Sequence, residues 1–268
     1  MKHSKTFHQF ILALTALFFF LPNLVEIKNI NVPALGFVVF IGTFFIYRLS
    51  VWIPVISNRT PFFSFIESPF FLEPLSYVFI ILIGYSLLSL NVILLLSAWG
   101  LLSIAYFTNV QIDNTRFQGL RSIPLIKTLL LSFMWTIIGF ILQLNKLNYH
   151  DSFFFTISIR FIIIFLICLG VDLRDITKDQ QAKTTTLATY FGFKKVKSFM
   201  LICSILLILL LSINKHASSL DLIISTGLFL IILQLKINQS KQTFTLLLDG
   251  TLFLYSLLNL IASYARFC

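Results

Sequence analysis

The feature that most constrains this chain is the recurrence, from one end to the other, of apolar runs long enough to cross a bilayer. A spanning helix needs about 20 consecutive apolar residues, within a range of roughly 17 to 25. Nine such runs lie at about 9–26, 33–56, 74–90, 91–107, 124–144, 152–170, 196–213, 218–236 and 244–264. The third and fourth form one continuous apolar stretch, too long for a single crossing, which divides near Ser89, Leu90 and Asn91. None of the runs alternates in polarity, which disfavours a β-barrel. Composition agrees: 58% of residues are hydrophobic and 11% charged, where soluble domains carry roughly 25% charged residues. The reading is one all-α transmembrane domain over residues 1–268, without a linker or a soluble domain.

Basic residues test the count independently, because cytoplasmic loops carry an excess of Lys and Arg. Nine crossings place the termini on opposite sides. With the N-terminus inside, the inner segments hold fifteen Lys and Arg, and the outer segments only Lys28, Lys146, Lys215 and Arg266. The net charge of +10 is then topology and contact with anionic lipid, and no nucleic-acid partner is implied. Lys2 and Lys5 precede the first run like the start of a secretory signal. No small-residue cleavage site follows at Phe18-Phe19-Phe20-Leu21-Pro22, so the run is expected to be retained as a crossing. Cys168, Cys203 and Cys268, and His3, His8, His150 and His216, lack metal-ligand spacing.

Two inner loops are long enough to hold chemistry. One, Val55 to Leu72, is aromatic and proline-bearing and could pack as an interfacial segment. The other runs from Val171 to about Lys195, and its core reads Asp172-Leu173-Arg174-Asp175-Ile176-Thr177-Lys178-Asp179. Three of the ten acidic residues of the chain fall within it. If the preceding helix continues inward, the three acids share one face. A divalent cation resolves their repulsion, since Mg²⁺ takes one or two protein carboxylates and completes its shell with water and phosphate oxygens. The alternative is a solvated charged face balanced by Arg174, Lys178 and Lys183.

This segment, followed by Thr186-Leu187 and Phe191-Gly192, resembles the second aspartate-rich motif of the UbiA family of intramembrane prenyltransferases. A weaker likeness is Gly119-Leu120-Arg121-Ser122-Ile123-Pro124-Leu125-Ile126-Lys127 with Trp135, similar to the basic segment before that family's fifth helix. The resemblance implies nine helices around a central cavity. It also implies transfer of a prenyl group from a polyprenyl diphosphate to an aromatic or other lipophilic acceptor, with Mg²⁺ held by Asp172, Asp175 and Asp179. Read from the residues themselves, Arg121, Lys127, Arg174 and Lys183 are candidate diphosphate partners or else positive-inside anchors. Arg48 could contact diphosphate directly or else snorkel. Tyr47 and Asp249 are candidates on the acceptor side, Asp249 otherwise forming a structural ion pair or hydrogen bond.

The chain departs from the family pattern where the first aspartate-rich motif belongs. It reads Phe45-Ile46-Tyr47-Arg48-Leu49-Ser50-Val51-Trp52 there, and Glu67 and Glu73 have the wrong spacing. Lys183 and Ala188 replace a usual Gly and Pro. Prenyl transfer needs preorganised charge for the departing diphosphate and an electron-rich, dry lining for the carbocation-like fragment. Tyr106 is a further weak aromatic choice, and Arg160 and Asp249 are ionisable groups inside helices, where charge usually faces inward. Two other classes remain open: a relative that binds an isoprenoid lipid or a partner protein without turnover, and a small transporter.

Overall fold

The computed structural model describes residues 2–20, 32–57, 77–78, 81–85, 88, 90–107, 110–112, 115–117, 120, 123, 126–140, 151–181, 184–214, 218–237 and 239–265. Its helices are α1 (Lys2–Phe20), α2 (Val32–Ser57), α3 (Leu90–Phe107), α4 (Ile126–Phe140), α5 (Asp151–Gln181), α6 (Leu187–Ile213), α7 (Ser219–Gln234) and α8 (Lys241–Ala265), with a helical turn at 81–85. The expected division of the long apolar stretch holds: Leu88 N–H bonds back to the Tyr85 carbonyl and a new helix opens at Leu90. Between α3 and α4 the chain departs from pure helix. Strands β1 (Val110–Ile112) and β2 (Thr115–Phe117) pair antiparallel, with Gln111 opposite Arg116. Their β-branched and aromatic residues favour extended backbone.

Among the described residues, three helices are long and apolar enough to cross a membrane, over Phe154–Gln181, Leu187–Ile213 and Gln242–Ala262. This is the pattern of a multi-pass membrane protein. The second half of α6 is apolar on its outward face as well as its inward one. On α6, Ile202, Leu206, Leu209 and Ile213 are exposed while Met200, Leu207 and Leu211 are buried. A helix hydrophobic all round has no soluble face to present, and its exposed apolar band matches lipid. The inner faces share one core that includes Leu35, Val39, Leu96, Ile163, Ile167, Leu173, Met200, Leu228 and Leu248.

The principal correction concerns the charged segment after the sixth run. The stretch from Val171 to about Lys195, expected as a loop, is largely helix. α5 continues to Gln181, α6 already begins at Leu187, and only a short break separates them. The charges at 172–181 do not end α5 because several find partners within the bundle and no Gly or Pro interrupts them. The break is chemically defined. Thr184 N–H returns to the Asp179 carbonyl at 2.8 Å, and Thr186 caps α6 in a reciprocal box with Thr189. Gly192, at φ 79° and ψ 163°, then kinks α6, a conformation essentially restricted to glycine.

Polar contacts gather helix ends at one end of the bundle. Gln9 of α1 donates to the Tyr47 carbonyl in the second half of α2. Lys127 at the start of α4 meets Asp172 and Asp179 near the end of α5. Arg174 of α5 reaches Thr245 and Asp249 early in α8, and Lys197 of α6 donates to the carbonyls of Leu233 and Leu235 at the end of α7. For α4 with α5 and for α5 with α8 the start of one helix meets the end of the other, as in antiparallel packing.

Candidate functional site

Lys127 lies in the first turn of α4, and its side chain is 6% exposed. Its Nζ contacts Asp172 Oδ1 at 2.9 Å and Asp179 Oδ2 at 2.6 Å, and the two carboxylates are as buried as the ammonium. Asp172 and Asp179 are two helical turns apart on one face of α5, which lets a single cation bridge them. Thr128, beside Lys127, donates its hydroxyl to Asp172 Oδ2. A buried charge is tolerated only when paired and hydrogen-bonded, and here four buried groups meet: an ammonium, two carboxylates and a hydroxyl.

Asp175 does not join them. Arg174 holds it through two parallel bonds, Nε to Oδ1 at 3.2 Å and Nη2 to Oδ2 at 3.1 Å. The same guanidinium donates from Nη1 to Thr245 Oγ1 at 2.9 Å and lies 3.6 Å from Asp249 Oδ2. Arg174 thus ties α5 to α8. Of the three acids expected to share one ion, the structure brings Asp172 and Asp179 together on Lys127 and pairs Asp175 with Arg174. Among the described residues, no three His, Cys, Asp or Glu side chains form a group that could hold a metal.

The pair nevertheless fits a divalent cation. Two carboxylate oxygens converge within 3 Å of one point, the position of the Lys127 nitrogen, which stands in for a cation. Mg²⁺ needs no more than one or two protein carboxylates when phosphate supplies further oxygens. Among the described residues, Lys127 and Arg174 lie against Asp172, Asp175, Asp179 and Asp249 in two adjoining groups, with Lys178 exposed at the edge.

One apolar cavity adjoins this region through α4, and a second shares two of its wall residues. Leu131, Met134 and Trp135, the next residues on or beside the Lys127 face, line a narrow cavity of about 30 Å³ with Ala16, Thr43, Ile46, Tyr47, Trp99 and Ser103. Ile46 and Trp99 also wall a larger cavity of about 300 Å³ between α2 and α3, reaching Gly42, Tyr85 and Gly100. Thr43 is buried at the narrow cavity, and its hydroxyl has no hydrogen-bond partner among the described residues.

Tyr47 therefore stands at the cavity and Asp249 at the Arg174 junction. Arg48 lies on α2, but its side chain, together with Arg121, Lys183, Glu67, Glu73, Cys268, His150 and His216, falls outside the described residues, as does the expected aromatic loop of Val55 to Leu72 beyond the end of α2 at Ser57. Tyr106 and Cys168 are buried in the bundle. Arg160 donates to Asn259 Oδ1 at 3.2 Å, and Asn259 donates to the Tyr255 carbonyl. Tyr255 donates its hydroxyl to Asp221 at 2.7 Å. This second polar network, linking α5, α7 and α8, and the Thr128 contact were not evident from the sequence. Asp221 in a first helical turn reads as an ordinary dipole-matching acid, and a threonine in an apolar run carries no pattern.

No protein-family model, curated protein or solved structure matches this chain.

Proposed function

We propose that this is a prenyltransferase-like membrane protein. It would take a polyprenyl diphosphate by its head at the Lys127 cluster and by its tail in the adjoining cavities, and pass the prenyl group to an aromatic or other lipophilic acceptor. One observation carries this reading: a buried charged cluster and an aromatic-lined apolar space follow one another along one helix. Leu131 is four residues beyond Lys127 on α4, a rise of about 6 Å. That sequence of polar and apolar surface complements an amphiphile with a charged head and a long apolar chain. The aromatic walls, Trp99, Trp135 and Tyr47, present faces that attract a developing allylic cation. Asp172 and Asp179 would hold Mg²⁺, which supplies positive charge against the diphosphate as the carbon–oxygen bond breaks. Lys127 and Arg174 would orient the head group. In this reading the N-terminus is cytoplasmic and the C-terminus lies on the opposite side, in line with the antiparallel helix pairs and the basic inner segments.

A second reading is a relative that binds an isoprenoid lipid or a partner protein without turnover. It is favoured by the saturation of Asp172 and Asp179 by Lys127 and by the lack of acids near Arg48. Purified protein assayed with Mg²⁺ and labelled geranyl, farnesyl and longer diphosphates separates the two. Turnover that is lost in Asp172→Ala and only reduced in Asp175→Ala supports transfer. Tight isoprenoid binding without product from any donor and acceptor removes it.

A further inference from the structure

Lys127 occupies a position that works against its own helix. The N-terminal turn of a helix carries a partial positive charge and disfavours a cation, yet Lys127 is the second residue of α4. Its ammonium stays there because two buried carboxylates enclose it at 2.6 and 2.9 Å. The same turn is a favourable place for an anion. The carboxylate pair, in turn, has one seat, and the ammonium fills it.

We infer that Lys127 and a divalent cation compete for the single seat between Asp172 and Asp179, and that a diphosphate is the anion that draws the ammonium out. This rests on the phosphorylated-ligand reading above and deepens it. A metal arriving alone must displace a tethered cation whose effective concentration is high, and it leaves that cation buried at a helix N-terminus without a partner. A diphosphate arriving alone meets Lys127 already held by two carboxylates. Arriving together, the metal takes the carboxylates and the diphosphate takes Lys127, so each ligand removes the obstacle to the other. Binding of the two is therefore coupled, and the coupling is reciprocal. Thr128 keeps Asp172 oriented during the exchange, because its hydroxyl uses Oδ2 while Lys127 uses Oδ1.

The test is Mn²⁺ binding to the full chain in detergent, read by electron paramagnetic resonance at free Mn²⁺ held by a metal buffer, with and without inorganic diphosphate. Wild type is expected to bind Mn²⁺ weakly alone and on the order of tenfold or more tightly with diphosphate. Lys127→Met should bind Mn²⁺ on the order of tenfold more tightly than wild type without diphosphate and show a smaller diphosphate effect. The double variant Lys127→Met/Asp172→Asn should lose the gain. Because Lys127→Met leaves two buried carboxylates unpaired, its melting temperature is followed as well: a fall that Mn²⁺ restores supports the exchange. Equal Mn²⁺ affinities in wild type and Lys127→Met, or an equal diphosphate effect in both, overturns it. Should Lys127→Met not fold, a wild-type Mn²⁺ affinity indifferent to diphosphate overturns it alone. Prenyl transfer is measured in parallel. Coupled Mn²⁺ binding without transfer leaves the exchange standing and removes the transferase reading, whereas transfer with uncoupled Mn²⁺ binding does the reverse.

Discussion

Lys127 and Asp179 are 52 residues apart in sequence and 2.6 Å apart in space. The contact joins the first turn of one helix to the last turns of the next, and both partners are excluded from solvent. Removing one member of a buried pair leaves an uncompensated charge, which costs about 3–5 kcal/mol. Asp172 remains to hold the ammonium, so Asp179→Ala is expected at the low end of that range and Asp179→Asn, which keeps an acceptor oxygen, below it. Thermal unfolding in detergent, followed by tryptophan fluorescence, gives the ranking; equal melting temperatures for all three proteins would contradict it.

Gly170 and Leu248 set the approach of α5 to α8. A Cβ at Gly170 would lie 2.8 and 2.9 Å from the two terminal carbons of Leu248, itself fully buried. Gly170→Ala should therefore destabilise by about 1–3 kcal/mol through overpacking. Leu248→Val shortens the obstructing side chain, so the double variant should melt nearer to Leu248→Val alone than additivity predicts. Additive melting shifts would show that the contact is not shared.

Gly192 holds the kink that lets the short capped turn after Thr186 lead into the long part of α6. Its φ of 79° and ψ of 163° exclude a side chain at a cost of about 1–3 kcal/mol. Gly192→Ala should lower the melting temperature although a Cβ there meets open space. The strain lies in the backbone, so no second-site size reduction should rescue it.

Tyr255 donates its hydroxyl to Asp221 at 2.7 Å, with both residues buried. Tyr255→Phe keeps the ring packing and leaves that carboxylate oxygen without its donor, a loss of about 1–3 kcal/mol or more for a charged acceptor. Asp221→Asn retains an acceptor for the phenol and should be the milder change. A double-mutant cycle on melting free energies measures the coupling; a value near zero would dissolve the proposed pairing.

Gly100 lines the 300 Å³ cavity, and a Cβ there meets nothing within 4 Å. Gly100→Leu should fill that space and leave stability unchanged or raised, because leucine is the better helix former by about 0.8–1 kcal/mol. Under the isoprenoid reading, farnesyl and longer diphosphates should lose affinity on the order of tenfold while geranyl diphosphate loses less, at about 1.4 kcal/mol per tenfold. Unaltered affinity for every chain length would place the tail elsewhere.

Hydrophobic run length alone conveyed the multi-pass membrane class and the break at Leu90, because a bilayer core sets a length that a spanning segment must meet locally, and three described helices meet it. The sequence also marked Lys127, Asp172, Asp175 and Asp179 as unusual charges at the edge of apolar runs. It misjudged the extent of α5 and α6, since charged residues from 172 to 195 look like a solvated loop until their partners are known. Which acid pairs with which base was not legible either. Asp175 matches Asp172 and Asp179 in spacing, yet its neighbour Arg174 claims it, and Lys127 bridges the other two only because α4 and α5 pack antiparallel with their polar ends level. Periodicity and length are properties of a segment and can be read along the chain. Ion pairing, the Thr128 and Tyr255 hydrogen bonds and the space beneath Thr43 depend on distances between segments, and only packing fixes those.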